Sequence, residues 1–225
     1  MSELGPMAQR RAEDLARRDP FWPAQLTVLA AIGLSLHLPS YLGVHPVWVI
    51  PSVEGVLLAA LVATTPREHL RPMPQRRGLA LGLVGLVSAS NVLNLTLLVH
   101  RLLHHHTDPH ALILAGVEIW ITNVLLFTVW YWELDRGGPL ARKLEVLRPP
   151  DFLFPQMTEP QLGGMDWRAT YVDYLYTSFT NASAFSPTDT MPLTAMAKML
   201  MLVQSLASLV TIGMVFARAV NILTG

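Results

Sequence analysis

Five stretches of this chain run for about twenty residues with almost no charge, and nothing else in it constrains the fold as strongly. A helix rises ~1.5 Å per residue, so ~20 apolar residues carry it across the ~30 Å hydrocarbon core of a bilayer. The stretches are 24–43, 46–64, 79–103, 111–132 and 194–223. Pro23 suits the start of the first and Pro39 weakens its end, while Pro51 and Glu54 interrupt the second. Tyr41, Trp48, Trp130, Tyr131 and Trp132 gather near segment ends, as an interfacial belt does. The composition agrees. Charged residues make up 14% and hydrophobic ones 52%, mean hydropathy is +0.38, and a soluble domain carries roughly a quarter charged residues.

Several classes of function are excluded or disfavoured. Net charge is zero, so the basic surface that nucleic acid demands is missing and no nucleic-acid partner is expected. There are no cysteines, which removes disulfides, thiolate metal sites and cysteine nucleophiles. None of the serine-hydrolase, zinc-protease or P-loop spacings occurs, so no enzyme activity, catalytic residue, cofactor or resident metal is expected.

Residues 1–22 are polar and mixed in sign, with Arg10, Arg11, Arg17 and Arg18 against Glu13, Asp14 and Asp19. They read as a lead-in at the membrane surface rather than a cleavable signal. If five helices cross in turn from a cytoplasmic N-terminus, fourteen of the sixteen basic residues fall inside, and only Arg101 and Arg218 outside. That bias predicts a cytoplasmic N-terminus in a multi-pass protein of the inner (plasma) membrane.

Residues 133–164 are rich in proline, glycine and charge and read as irregular or interfacial. Thr170 and Asp173 then have capping-box spacing ahead of a short apolar helix over 171–182, ended by Ser186-Pro187. That helix is too short to cross a bilayer, which predicts a re-entrant or interfacial placement. The expected fold is therefore an all-α integral membrane protein of five transmembrane helices plus one re-entrant helix. Its parts are the lead-in 1–22, a three-helix bundle 23–110, and a helix, re-entrant loop, helix unit 111–225.

Residues 171–221 carry a resemblance. That stretch has Asp173, then Leu175-Tyr176-Thr177-Ser178-Phe179-Thr180-Asn181-Ala182-Ser183, then Ala184-Phe185-Ser186-Pro187-Thr188-Asp189, then Thr190-Met191-Pro192. Without gaps, this is similar to the pore helix and filter of the potassium-channel family, matching it at Leu175, Tyr176, Ser178, Phe179, Asp189 and Pro192. Residues 195–218 resemble that family's inner helix, with Ser208 at the hinge-glycine position and Gly213 at a second glycine. The likeness covers about a quarter of the chain; residues 111–132 fit the outer-helix role by position. It implies a pore-type re-entrant helix and a homo-oligomer, a tetramer in that family, because one copy cannot enclose an axial pore. The whole chain also resembles a group of bacterial membrane proteins marked by Tyr131-Trp132-Glu133-Leu134-Asp135-Arg136-Gly137-Gly138-Pro139 and residues 184–192, a likeness that brings no chemistry with it.

The departures from the channel pattern decide what is carried over. A potassium filter is a ladder of backbone carbonyls, and its glycines hold angles closed to other residues. Ser186 and Thr188 replace both glycines, and Pro187 between them fixes its own φ and removes an amide. A standard filter, with its selectivity, cannot be built. Thr180, Asn181, Ser183, Ser186, Thr188 and Asp189 still offer oxygens around one bend. A ring of Asp189, helped by the C-terminal end of the short helix, would attract inorganic cations. The alternative is a closed loop kept for structure. Gln204, Ser208 and Thr211 share one face of the last helix. They either line an axis or hydrogen-bond between helices.

Glu54 and Glu118 lie within spanning segments, where a carboxylate costs roughly 2.5–3.5 kcal/mol unless partnered or protonated. Counted from the helix ends, the two share a depth with Asn94, and Asn91 and Asn123 fall about a turn deeper. This polar layer would suit a shared proton or a cation, or it merely locks helices together. His100, His104, His105, His106 and His110 crowd one turn and read as exposed, titrating groups rather than metal ligands. Glu133, Asp135 and Arg136 are predicted to form interfacial ion pairs, and Gly78, Gly82 and Gly85 to mark close helix packing. The leading expectation is a channel-like, weakly selective cation pathway. A proton- or ion-coupled carrier using Glu54 and Glu118, or a non-conducting scaffold derived from a pore, are the alternatives.

Overall fold

The computed structural model describes residues 20–42, 49–68, 74–104, 109–143, 148–159, 161, 167–186 and 189–224. Five long helices occupy the apolar stretches: α1 (Trp22–Leu42), α2 (Val49–Glu68), α3 (Pro74–His104), α4 (Pro109–Leu134) and α8 (Ala195–Thr224). Between the last two come a 3₁₀ turn at Asp135–Gly137, the short helices α5 (Pro139–Lys143) and α6 (Pro155–Thr158), and α7 (Tyr171–Ala184). Among the described residues, three stretches are long and apolar enough to cross a membrane: Arg77–Leu102, His110–Gly137 and Ala195–Val220. A shorter apolar helix covers Trp22–Leu36. Helix α1 runs through Pro39, and Pro51 sits in the first turn of α2, where its missing amide costs least.

Helix α4 is the hub. It packs against α1, α3, α7 and α8, so the front bundle and the C-terminal unit share it. Its long neighbours run opposite to it. Phe21 of α1 meets Trp132 edge-on at 5.7 Å, while Val28 and Ile32 join Leu126 and Val129 in one apolar cluster. On α3, Ser88 accepts a hydrogen bond from Trp130 Nε1, and Leu98 packs with Leu112 and Ile119. Helices α4 and α8 approach closely at Gly116, where a Cβ would lie 2.5 Å from Val215 Cγ2. Among the described residues nothing lies within 4 Å of a Cβ built at Gly78 or Gly82, and at Gly85 it only reaches the Trp130 ring at 4.0 Å, so the close packing expected of these glycines is not seen there.

Helix α7 begins where the spacing of Thr170 and Asp173 places it. The Asp173 carboxylate accepts from the Thr170 amide at 2.7 Å and its hydroxyl at 2.8 Å. It ends at Phe185, whose φ of 55° is left-handed. Its contacts step backwards along α4. Tyr174 reaches Asp135, Ser178 reaches the Val124 carbonyl, and Phe179 stacks edge-on against Trp120 at 5.8 Å. The chain then returns. The Thr177 hydroxyl donates to that of Thr190 at 3.2 Å, and β2 (Met191–Pro192) pairs antiparallel with β1 (Phe152–Leu153). Residues 171–192 thus form a hairpin that enters and leaves at the C-terminal end of α4. The two-residue strands are the one departure from an all-α fold among the described residues.

A buried carboxylate holds the irregular stretch. Asp135 is fully buried. Its Oδ1 accepts from the amides of Asp151 at 2.8 Å and Phe152 at 3.4 Å, and its Oδ2 from the Tyr174 hydroxyl at 2.6 Å. Asp151 in turn accepts from the Arg136 amide and the Thr194 hydroxyl. Arg142 donates to the carbonyls of Trp132 and Asp135, a cation placed on the negative end of α4. This fixes the expectation for Asp135 differently: it ties the start of β1 to α7. The turn itself needs its glycines, because Arg136, Gly137 and Gly138 have φ of 53°, 84° and 98°. At Gly138 a Cβ would lie 2.9 Å from the Glu133 carbonyl oxygen.

Candidate functional site: a hairpin tip, a buried amide network and a four-helix polar layer

The tip of the hairpin carries Ser183, Ala184, Phe185, Ser186 and Asp189 at the surface. Ser183 Oγ bonds back to the Phe179 carbonyl, Thr180 Oγ1 does the same to Tyr176, and Asp189 Oδ1 accepts from Thr190 Oγ1 at 3.4 Å. Pro187 and Thr188 lie outside the described residues. Asn181 does not belong with these oxygens. It is 1% exposed and turned inward.

Inward, Asn181 meets a network that joins three helices. Gln204 Oε1 accepts from Asn181 Nδ2 at 2.8 Å and from the Tyr131 hydroxyl. Gln204 Nε2 donates to the carbonyl and hydroxyl oxygens of Ser178 at 2.9 and 2.7 Å. Ser178 Oγ donates on to the Val124 carbonyl at 2.7 Å. Asn123 Nδ2 donates to Ser208 Oγ at 2.9 Å and to the Gln204 carbonyl at 3.3 Å. Every member is buried. In an apolar interior a fully paired set of this kind fixes one register, since each lost partner leaves a buried polar atom costing ~1–3 kcal/mol.

This settles where the expected lining residues sit. Gln204, Ser208 and Thr211 are 0%, 0% and 2% exposed inside a single chain. They face α4 and α7, and the Thr211 hydroxyl bonds back to Ala207. They join helices rather than line an open face. The face of α8 left open is apolar, with Leu202, Val203, Leu206, Leu209 and Val210 exposed.

The intramembrane layer also rearranges. Asn123 is drawn to α8 by the bonds above, Asn94 is half-buried, and Glu118 is half-buried on α4. Glu54 is fully buried and neither carboxylate oxygen has a hydrogen-bond partner, so it shares no proton with Glu118. The groups placed with Glu54 are others. One turn beyond the apolar cluster of Ala31, Leu58, Val87 and Leu126 stand Ser35 on α1, Glu54 on α2, Asn91 on α3 and Thr122 on α4. All four are at most 6% exposed. Ser35 Oγ, both Glu54 oxygens, Asn91 Oδ1 and Thr122 Oγ1 are unpartnered. Several helical hydroxyls in this chain bond back one turn, as at Thr27, Ser88, Thr96 and Thr128. Ser35 and Thr122 do not. Each continues the buried stripe of its own helix, the one sign in the sequence that would have found it.

Of the histidines, His100 and His110 are exposed, and the described residues contain no cluster able to hold a metal ion. His105 and His106 lie outside the described residues. Compared with protein-family models, curated proteins and solved structures, the chain matches none.

Proposed function

We propose that this is a multi-pass membrane protein of five spans whose hairpin 171–192 is re-entrant. Copies assembled around an axis, as tetramers, would form a weakly selective cation pathway without a standard potassium filter. The observation that carries the reading is the path of α7, from Asp135 to Val124 to Trp120 along a spanning helix and back to the same end. In a bilayer such a path sets irregular backbone at depth, which is tolerated only where protein or water covers it. Protein covers one side through Gln204, Ser178 and Asn181. The tip, with Ser183, Ser186 and Asp189 exposed, is the side left for water, ions and neighbouring copies. The hairpin opens at the end of the bundle that carries Arg136, Arg142 and Arg148, which the positive-inside bias puts in the cytoplasm. The pore unit is then inverted relative to potassium channels.

The test is cation flux in proteoliposomes together with the oligomeric state in detergent. Flux from an oligomer that falls at least several-fold in Asp189→Asn supports the pathway. A monomer without flux refutes it and leaves the scaffold.

One observation favours the carrier as a second reading. Ser35, Glu54, Asn91 and Thr122 offer five unpartnered buried oxygens with a single carboxylate, a set whose charge balances one proton or one monovalent cation. Flux lost in Glu54→Gln but indifferent to Asp189→Asn identifies this layer as the path.

A further inference from the structure

A cleft of about 320 Å³ opens where α4 ends and α8 begins, lined by Arg77, Arg136 and Arg148 with Leu134, Gly137, Asp151, Thr194 and Met196. We propose that it binds the phosphate of a phospholipid headgroup. The site is separate from the hairpin tip and from the four-helix layer, and does not rest on either reading.

Three arginines line it from three parts of the chain: the start of α3, the 3₁₀ turn and the approach to β1. Among the described residues none of the three has a carboxylate partner. Arg136 spends its backbone amide on Asp151 Oδ2 and one side-chain nitrogen on Met157 Sδ. Arg77 Nε is buried and unpartnered. Asp151, the single carboxylate in the lining, is already accepting from Arg136 N and the Thr194 hydroxyl. The cleft therefore holds an excess of positive charge, on donors whose planar forks match phosphate oxygens.

The backbone is cut away to let these groups in. Arg148 lies over Gly137, its Nη1 2.8 Å and its Cδ 3.3 Å from where a Cβ would stand, and Arg77 Nε is 3.8 Å from the corresponding point on Gly138. Any side chain at 137 would push Arg148 aside. The two glycines of the turn thus serve the cleft as well as the fold.

The surroundings select a lipid over a free ion. The cleft sits at the ends of the spans His110–Gly137 and Ala195–Val220, where a bilayer's headgroups would lie. Leu134 and Met196 form its apolar wall, and Met196 is 59% exposed. A phosphate gripped by the arginines would leave its glycerol and acyl chains along that wall.

The purified full chain in detergent is titrated separately with phosphatidylglycerol, phosphatidylcholine and inorganic phosphate. Binding is followed by thermal unfolding and by native mass spectrometry. Phosphatidylglycerol is expected to bind saturably and at least tenfold tighter than phosphatidylcholine, and Arg77→Gln/Arg148→Gln to weaken it at least tenfold with helical content unchanged. Single Arg77→Gln and Arg148→Gln variants, each giving part of that loss, cover the case in which the double variant does not fold. Saturation by inorganic phosphate alone, lost in the same variants, overturns the lipid as source and upholds the phosphate chemistry. No saturable effect from any of the three, or equal affinity in the variants, overturns the site.

Discussion

Gln204 and Ser178 are bonded twice, the amide nitrogen of one donating to both the carbonyl and the hydroxyl oxygen of the other at 2.9 and 2.7 Å. This pair joins the last long helix to the hairpin at mid-length. The other end of the same amide accepts from Asn181 and Tyr131, so a single side chain holds three helices in register.

Gln204→Leu keeps the volume and removes every one of these bonds, leaving Tyr131 buried without its acceptor and Asn181 Nδ2 without one of its acceptors, the Met201 carbonyl remaining. A loss of about 2 kcal/mol is expected, toward the upper range for hydrogen bonds between membrane helices. Unfolding in mixed detergent micelles measures it. Leu209→Ala, on the exposed face of the same helix, should shift the midpoint far less. Equal effects would refute the network as the clamp.

Tyr174→Phe deletes the one side-chain bond from α7 to Asp135 and should cost ~1 kcal/mol. Asp135→Ala leaves the two backbone amides and the hydroxyl without their acceptor, and about 2–3 kcal/mol is expected. Combining the two changes should cost less than their sum, because both remove the same bond.

The two turn glycines should respond differently to alanine. Gly138 combines φ 98° and ψ 174°, a region essentially closed to side chains, with backbone 2.9 Å from the new Cβ. Gly138→Ala should destabilise by roughly 3 kcal/mol. Gly137→Ala meets only the mobile end of Arg148, so about 1 kcal/mol of backbone strain is expected. Protease sensitivity near residue 137 and thermal midpoints would rank them, and the reverse order would contradict this turn geometry.

Glu54→Leu removes an unpartnered carboxylate from a fully buried place. The variant should unfold later than the native chain, by about 1–2 kcal/mol, as when a buried polar group is exchanged for an apolar one. A large destabilisation instead would mean that the glutamate is paired in the folded protein.

Much of this architecture was legible in the chain itself, and the illegible part has a common cause. The long helices announce themselves because hydrophobic runs are local. So does the start of α7, since Thr170 and Asp173 are near neighbours in sequence. The network is different. Asn123 finds Ser208 and Tyr131 finds Gln204 across more than seventy residues, and nothing local shows which face of α8 turns inward. Spacing alone puts Gln204, Ser208 and Thr211 on one face, but that the face looks toward α4 depends on tertiary packing. Depth along the helices groups Glu54 with Glu118, yet depth does not tell azimuth, and Ser35 and Thr122 stand in the layer where Glu118 and Asn123 do not. Charge near a helix end is usually solvated, which predicts interfacial ion pairs for Asp135, whereas here it accepts from backbone amides.

The pairing of Asn123 with Gln204 spans 81 positions, and this has a consequence for how the protein is made. When α4 leaves the ribosome, the partners of its Asn123 and Tyr131 have not yet been translated. At ~5–20 residues per second, this helix waits several seconds with its polar groups unanswered. Nascent chains halted before residue 204 should therefore hold α4 loosely and be easily extracted or degraded, and chains released after 208 should resist both.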